Sequence, residues 1–393
     1  MWLMCAMVVE RHLRCHAQGY DDCPKDSHVL SWKVVLMRVL LDCRMASWSG
    51  VGRYTHGLVR ELAARDDVEI VQVVGSVGDA PVPEARTIRV QQHPFSLRGA
   101  REMARIVGEV APDVMHALHF PTPMPAPAPL VVSMHDLTPI IMPEVMPSAL
   151  RRAAYRWWLG RAFRVATRLI AVSQHTASDI ARLYPAAADK TRVVAEAADD
   201  FSAGPIGELP GDLQGVRYFL AFGNPKPNKD LSTLLRAFAA FSETHHDVEL
   251  VIVGAEAVSM VASMFERSRA ADRVRIISSV DDSVLRALYA NALAFVYPSR
   301  YEGFGLPPLE AMALGAPVVT TDAASLPEVV GDAALVVPVG DARILEHALD
   351  SIASDESLRS RLIEAGRVRA AIFSWARTAE ETVAVYQEVA KQR

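Results

Sequence analysis

FVYPSRYEGFGLPPLEAMALGAPVVTTDAASLPEVVGDAALVVPVGD, residues Phe295 to Asp341, is the stretch that decides the fold. It reads as strand, loop, helix, strand, loop, short helix, strand. Phe295, Val296 and Tyr297 are an apolar, β-favouring run that Pro298 and Ser299 end. Pro307 and Pro308 suit a first helical turn, where a missing N–H costs nothing. Gly315 marks the helix's stop, with Pro317 behind it. Val318 to Thr320 is the next strand. Strand, helix, strand in this order is the repeating unit of a parallel α/β sheet.

Chemistry concentrates at the helix entrance. Gly303 and Gly305 let backbone approach a ligand closely, and the exposed N–H groups of the following turn favour an anion. Glu302 lies in that loop and Glu310 one turn into the helix. A carboxylate cannot ligate phosphate, so it accepts hydrogen bonds from hydroxyls, as on a ribose or a hexose. The same residues also fit an ordinary βα loop whose acidic helix start only satisfies the dipole.

Glu302 and Glu310, with seven residues between them, resemble the paired glutamates of the family-4 retaining glycosyltransferases. EGFGLPPLEAMALGAPVV and SLPEVVGDAA are similar to that family over the whole block, and the likeness runs more thinly from Met37 to the C-terminus. It implies the GT-B fold, an α/β architecture of two Rossmann-like domains whose parallel sheets face a central cleft. The second domain would hold a nucleotide-sugar and the first an acceptor. Glu310 would hold the ribose, and Glu302 with Phe304, Gly305 and Leu306 the sugar and phosphate. Retention in this family is thought to be front-face, with the leaving-group oxygen assisting the acceptor, so no protein nucleophile is expected.

The rest of the chain fits two domains. At 393 residues it is long for one. Apolar residues make up 51% and charged residues 22%, as in a globular protein. A net charge of -5 supplies no basic field for nucleic acid. No apolar run is long enough to span a bilayer. Cys5, Cys15, Cys23 and Cys43 match no zinc spacing and suggest no disulfide framework, so a reducing, cytoplasmic compartment fits. Residues 1–32 read as a disordered or non-native leader, with the natural start at Met37.

From Val35 to Asp42 the first strand runs into CRMASWSGVGRY, where Gly50 and Gly52 precede a helix. Thr55 stands where a dinucleotide fingerprint needs its third glycine; the resemblance implies instead a glycine loop that faces the cleft near the donor phosphates and the acceptor, with Gly50, Val51, Gly52 and Arg53 as the candidates. Further strands are expected at Val68 to Gly75, Thr87 to Gln91, Asp113 to Ala117, Leu130 to Met134, Arg168 to Val172 and Thr191 to Ala195. His135 and Asp136 follow the Leu130 strand at its carboxyl end, where open α/β sheets bind ligands. They match the family's His-Asp, which would contact the transferring sugar. Thr176 and Ser178 suit the cap of the next helix. Ala198 to Gly215 reads as the linker between domains 33–198 and 216–372. The helix from Phe373 to Gln392, with Trp375, would cross back onto the first domain.

Tyr218 to Gly223 is a strand, followed by NPKPNKD and the helix Leu231 to Phe241. Lys226 and Lys229 thus sit at a strand-to-helix turn, where phosphates are held. The family places a basic pair here on the donor pyrophosphate. Many members have arginine directly after the glycine, where this chain has Asn224. Ile277 to Val280 would line the base. The catalytic candidates are His135, Glu302 and Lys229.

Residues 147–168 carry six arginines with Tyr155, Trp157, Trp158 and Phe163 and no acid. That composition suits a helix lying on anionic lipid, at the inner face of the plasma membrane, or a helix with core aromatics and solvated arginines. No Asp-x-Asp occurs, so no divalent metal and no cofactor beyond the donor is expected. The resemblance leans to a hexosyltransferase of surface polysaccharide synthesis, using mannose from GDP-mannose on a saccharide or lipid-linked acceptor. A sugar-nucleotide epimerase of the same fold and a non-catalytic nucleotide-sugar-binding protein are the alternatives.

Overall fold

The computed structural model describes residues 36–75, 80–127, 129–255, 257–265 and 269–391. The leader expected at residues 1–32 lies outside them, and one compact unit runs Met37–Arg393. Its first sheet holds β1 (Met37–Asp42), β2 (Val68–Val74), β3 (Arg86–Arg89), β4 (Val114–Ala117), β5 (Leu130–Met134), β6 (Arg168–Ala171) and β7 (Thr191–Val193). The order is β3-β2-β1-β4-β5-β6-β7, with every pairing parallel. The second sheet holds β8 (Arg217–Phe222), β9 (Val248–Val253), β10 (Val274–Ile277), β11 (Ala294–Tyr297), β12 (Val318–Thr321) and β13 (Leu335–Val337), in the order β10-β9-β8-β11-β12-β13. It is also parallel throughout.

Helices cover both faces of such sheets, so the inner strands are near-continuous apolar runs. Val39, Leu40 and Leu41 of β1 and Phe295 and Val296 of β11 have no exposed surface. In each sheet the strand order reverses beside the first strand, between β1 and β4 and between β8 and β11. Ligands bind at such switch points, outside the strands' carboxyl ends. The loops after β1, β5, β8 and β11 all open there.

The longer helices are α1 (Ser49–Ala63), α2 (Leu97–Val110), α3 (Ala149–Val165), α4 (Gln174–Leu183), α5 (Leu231–Phe241), α6 (Ala257–Phe265), α7 (Asp282–Asn291), α8 (Leu306–Ala313), α9 (Ala342–Ser354), α10 (Glu356–Ala370) and α11 (Trp375–Ala390). As expected, α11 packs on the first domain. Trp375 lies where a Cβ on Gly57 of α1 would stand, Tyr386 Oη is 2.6 Å from His116 Nδ1, and Glu388 bridges Arg168 and Arg192.

One expectation is corrected. The cap of α4 is Ser173, whose Oγ accepts from the Thr176 N–H; Thr176 and Ser178 lie inside the helix. The stretch 199–215 is anchored at several points. Phe201 and Leu213 are buried, and Asp199 and Asp200 hold the Trp375 backbone and indole N–H groups at 3.0 and 2.7 Å. Arg286 of α7 donates to the Pro205 carbonyl. Helix α3 divides its aromatics: Trp158 and Phe163 are buried, while Trp157 and Leu150 face solvent.

Candidate active site

A cavity of about 1380 Å³ opens where the two switch points face each other. Pockets for a single small ligand run to roughly 1,000 Å³, so this one has room for more than one substrate.

On the second-domain wall, the turn after β8 delivers Lys229 and the loop after β11 delivers Glu302. Lys229 Nζ lies 2.6 Å from Glu302 Oε1 and donates to Tyr297 Oη at 2.9 Å. Tyr297 Oη donates in turn to Glu302 Oε1 at 2.9 Å, and Ser299 Oγ stands 2.5 Å from the same oxygen. Burial works against the Lys229 charge, but Glu302 and Tyr297 outweigh it and hold the ammonium well above its ordinary range. Asn224 lines the cavity with its side chain accepting from the Lys226 N–H, and Lys226 is exposed at the rim. Phe222, Val253, Gly254 and Leu285 line the wall where the base was expected; Ile277 lies one strand further out, its carbonyl accepting from the Gly254 N–H.

Gly305 opens α8 with φ +128°, a conformation that favours glycine, and Phe304, Gly305 and Leu306 line the cavity beside it. Glu310, its side chain 3% exposed, is paired with a candidate of the glycine loop, a pairing that no spacing discloses. Arg53 Nε of α1 reaches across from the first domain to Glu310 Oε1 at 3.0 Å. Tyr289 Oη donates to Oε2 at 3.3 Å. Burial pushes the Glu310 carboxyl up to about 7, against the lowering by Arg53 and Tyr289. Arg53 also binds Asp282 Oδ1 at 3.0 Å and lies 4.2 Å over the Phe201 ring.

On the first-domain wall, Gly50 lines the cavity, whereas Gly52 turns back into its own loop, where a Cβ would overlap the Ala46 carbonyl. His135 lines the floor with both ring nitrogens engaged: Nδ1 with Glu196 Oε1 and Nε2 with the Leu118 carbonyl, both at 2.9 Å. Each partner is an acceptor, so the ring carries both protons. Burial opposes that charge, but Glu196 overcomes it and raises the pKa. A hydrogen bond from the ring to a sugar would have to replace the Leu118 carbonyl. Gly303 packs on the backbone of the same histidine: a Cβ there would overlap His135's carbonyl oxygen. Ser173 Oγ donates to the Gly303 carbonyl at 2.6 Å, a second bond across the cleft. The structure thus brings Glu302 and Lys229 into contact, and sets Glu310 and His135 apart with other partners. Glu196, a lone acid among alanines, has no local pattern that marks it; neither do Tyr289 and Tyr297.

Comparison with known proteins identifies this architecture. Residues 212–369 match the family described as glycosyl transferases group 1, and residues 48–200 match glycosyltransferase family 4. The O-antigen chain mannosyltransferase B of Escherichia coli is 30% identical over 86% of this chain and 96% of its own. The chain belongs to glycosyltransferase family 4. An MMP alpha-(1->4)-mannosyltransferase of Mycolicibacterium hassiacum is 32% identical over 79% of this chain and 76% of its own. Among solved structures, the sucrose-phosphate synthase of Thermosynechococcus elongatus superposes with a TM-score of 0.75 at 19% identity, covering 91% of this chain and 100% of that one. The lipopolysaccharide glycosyltransferase WaaG superposes at 0.68 and 18%, covering 89% and 99%. These share the GT-B fold, and the family-4 transferase described here has it too. The epimerase and binding-protein alternatives are not favoured.

Proposed function

We propose that this transferase moves mannose from GDP-mannose, with retention, onto a saccharide or lipid-linked acceptor during surface polysaccharide synthesis. The observation that carries the transfer chemistry is Lys229, fixed by Glu302 and Tyr297 at the strand-to-helix turn and facing the entrance of α8. The departing diphosphate meets a preset ammonium and a helix N-terminus, which offset its charge without reorganisation. This supports a reaction without a divalent metal or other cofactor. Each carboxylate lining the cleft is engaged: Glu302 with Lys229, Glu310 with Arg53, Glu196 with His135, and Asp136 with the Thr138 N–H. That favours a front-face transfer over a protein nucleophile. The mannosyl donor rests on the relatives: both of those described above are named mannosyltransferases.

The test is a thermal-shift panel of nucleotide-sugars followed by turnover with the best binder. GDP-mannose should stabilise most, by mass action, and the product should keep the anomeric configuration by NMR. A larger shift with UDP-glucose would reassign the donor. Turnover should persist in excess chelator; activity abolished by chelator and restored by magnesium would overturn the metal-free reading.

Arg151 lines the cavity, and the exposed Leu150 and Trp157 belong to the same helix, α3. No helix among the described residues is long and apolar enough to cross a membrane. The basic, half-apolar face suits contact with anionic lipid, where a lipid-linked acceptor would be presented. Sedimentation with acidic vesicles should be strong at low salt and weaken with screening. Equal binding to neutral vesicles, or none to either, would remove this part of the proposal.

A further inference from the structure

The carboxylate assigned to the donor ribose is not vacant. Glu310 is buried, and one of its oxygens is 3.0 Å from the Arg53 guanidinium of the opposite domain. A ribose diol arriving at Glu310 competes for that carboxylate, and Arg53 has somewhere to go: Asp282 already holds its Nη2 at 3.0 Å, and the Phe201 ring lies 4.2 Å beneath its guanidinium carbon. A cation with two acid partners and an aromatic face can give up one bond without becoming an unpaired buried charge.

We propose that Arg53 is a positioning residue that gates the donor site: it holds the Glu310 carboxyl group in place at the cleft wall, and the nucleotide's ribose displaces it onto Asp282 and Phe201. The inference rests on Glu310 as the ribose ligand. The exchange takes place across the domain boundary: Arg53 belongs to the first domain, and Glu310 and Asp282 to the second.

The gate has a distinctive pH signature. Glu310 faces Arg53 from α1, Tyr289 and Asp282 from α7, and Asp200 from the linker; Asp282 and Asp200 push its pKa up, as burial does. The neighbouring charged groups are turned elsewhere. Arg367 of α10 stands against Gly315 beyond the far end of α8, and Glu328 accepts from the Gln174 and His175 N–H groups. Tyr289 is itself held protonated by burial and by Glu310. Arg53 is therefore the cation that opposes protonation of Glu310.

The experiment is isothermal titration of GDP and of 2′,3′-dideoxy-GDP into the native protein, Arg53→Gln and Arg53→Lys between pH 5.5 and 9. In the native protein GDP affinity should rise through about 7 and level off, while the dideoxy analogue binds more weakly with little pH dependence. Arg53→Gln should move the midpoint upward; a midpoint one pH unit higher lowers affinity about tenfold in the range below both midpoints. Above both midpoints Arg53→Gln should bind GDP more tightly than the native protein, because no cation has to be displaced. The two curves therefore cross. Arg53→Lys keeps the charge and should restore the native midpoint. Uniformly weaker GDP binding by Arg53→Gln at every pH would make Arg53 a direct donor ligand or a structural residue, and an unmoved profile would make it a bystander; either result overturns the gate. If the native protein fails to distinguish GDP from the dideoxy analogue, the ribose assignment falls first, in a measurement that involves no substitution.

Discussion

Glu302 and Glu310 belong to one loop-and-helix unit, yet they are held in opposite ways. The partners of Glu302, namely Lys229, Tyr297 and Ser299, come from its own domain. That cluster is independent of whether the cleft is open. Glu310 is held by Arg53 from the other domain, so its pairing exists only while the domains are together. One glutamate belongs to a charge cluster preset within its own domain; the other joins a contact that spans two. Preorganised charge stabilises a transition state because nothing reorients at the moment of reaction. A bond across domains stabilises a conformation instead, and a ligand can compete for it.

The sharpest way to break the first arrangement is Lys229→Ala. It removes the fixed cation and leaves Glu302 to its hydroxyl partners. The expected loss is about 10²–10³ in kcat, with a smaller change in donor affinity, read by steady-state kinetics and calorimetry. A loss in KM alone would mean that Lys229 holds ground state and transition state equally.

Gly303→Ala attacks the contact between domains without touching a charged group. Its Cβ would overlap the His135 carbonyl, and backbone cannot move aside as a flexible side chain can. The cleft should stay ajar, turnover should fall by about 10²-fold from misplaced substrates, and the radius of gyration in solution scattering should rise. Native scattering with native activity would show that the close approach is dispensable.

Glu310→Gln separates the two glutamates directly. The amide accepts from a ribose hydroxyl but loses the charge-assisted part of that bond, so donor binding should weaken by about 1.5–3 kcal/mol while kcat at saturation changes little. Unchanged donor affinity would place the ribose elsewhere.

The same contrast explains what can be read from the sequence. Strand, loop, helix and glycine punctuation are local, so the unit from Phe295 to Thr321 and both parallel sheets are legible, as is the return of α11. Lys229 and Glu302 can each be named, but their mutual bond joins turns far apart in the chain, and only the fold brings them together. Arg53 to Glu310 is more distant still and His135 to Glu196 nearly as far, and no periodicity encodes either pair. The anchoring of the linker is hidden from a sequence reading for a different reason. Gly and Pro mark breaks in regular structure, and say nothing of whether Phe201, Asp199 and Asp200 find partners in α7 and α11. The cap of α4 falls to Ser173 because β6 and the backbone after it set where that helix begins, among several residues able to cap it.

The last effect is one of stability, and its sign follows from burial. A glutamate carboxyl titrates near 4.5 when unperturbed, and burial raises that of Glu310 to about 7 in the folded protein. Between those values the folded state holds a proton that the unfolded state has released, so the folded state is the one favoured by acid. The stability this group contributes is complete below 4.5 and is lost as pH rises through about 7, with a slope of about 1.4 kcal/mol per pH unit inside the window. Glu310→Gln does not titrate and has no such slope. The difference in unfolding free energy between native and variant, measured by denaturant titration at several pH values, should therefore move in the variant's favour from pH 4.5 to 7 and be flat above. Other carboxylates contribute equally to both proteins and cancel. A difference that moves toward the native protein with rising pH would mean that Arg53 outweighs burial, and that the pair across the cleft is stabilising in its ionised form.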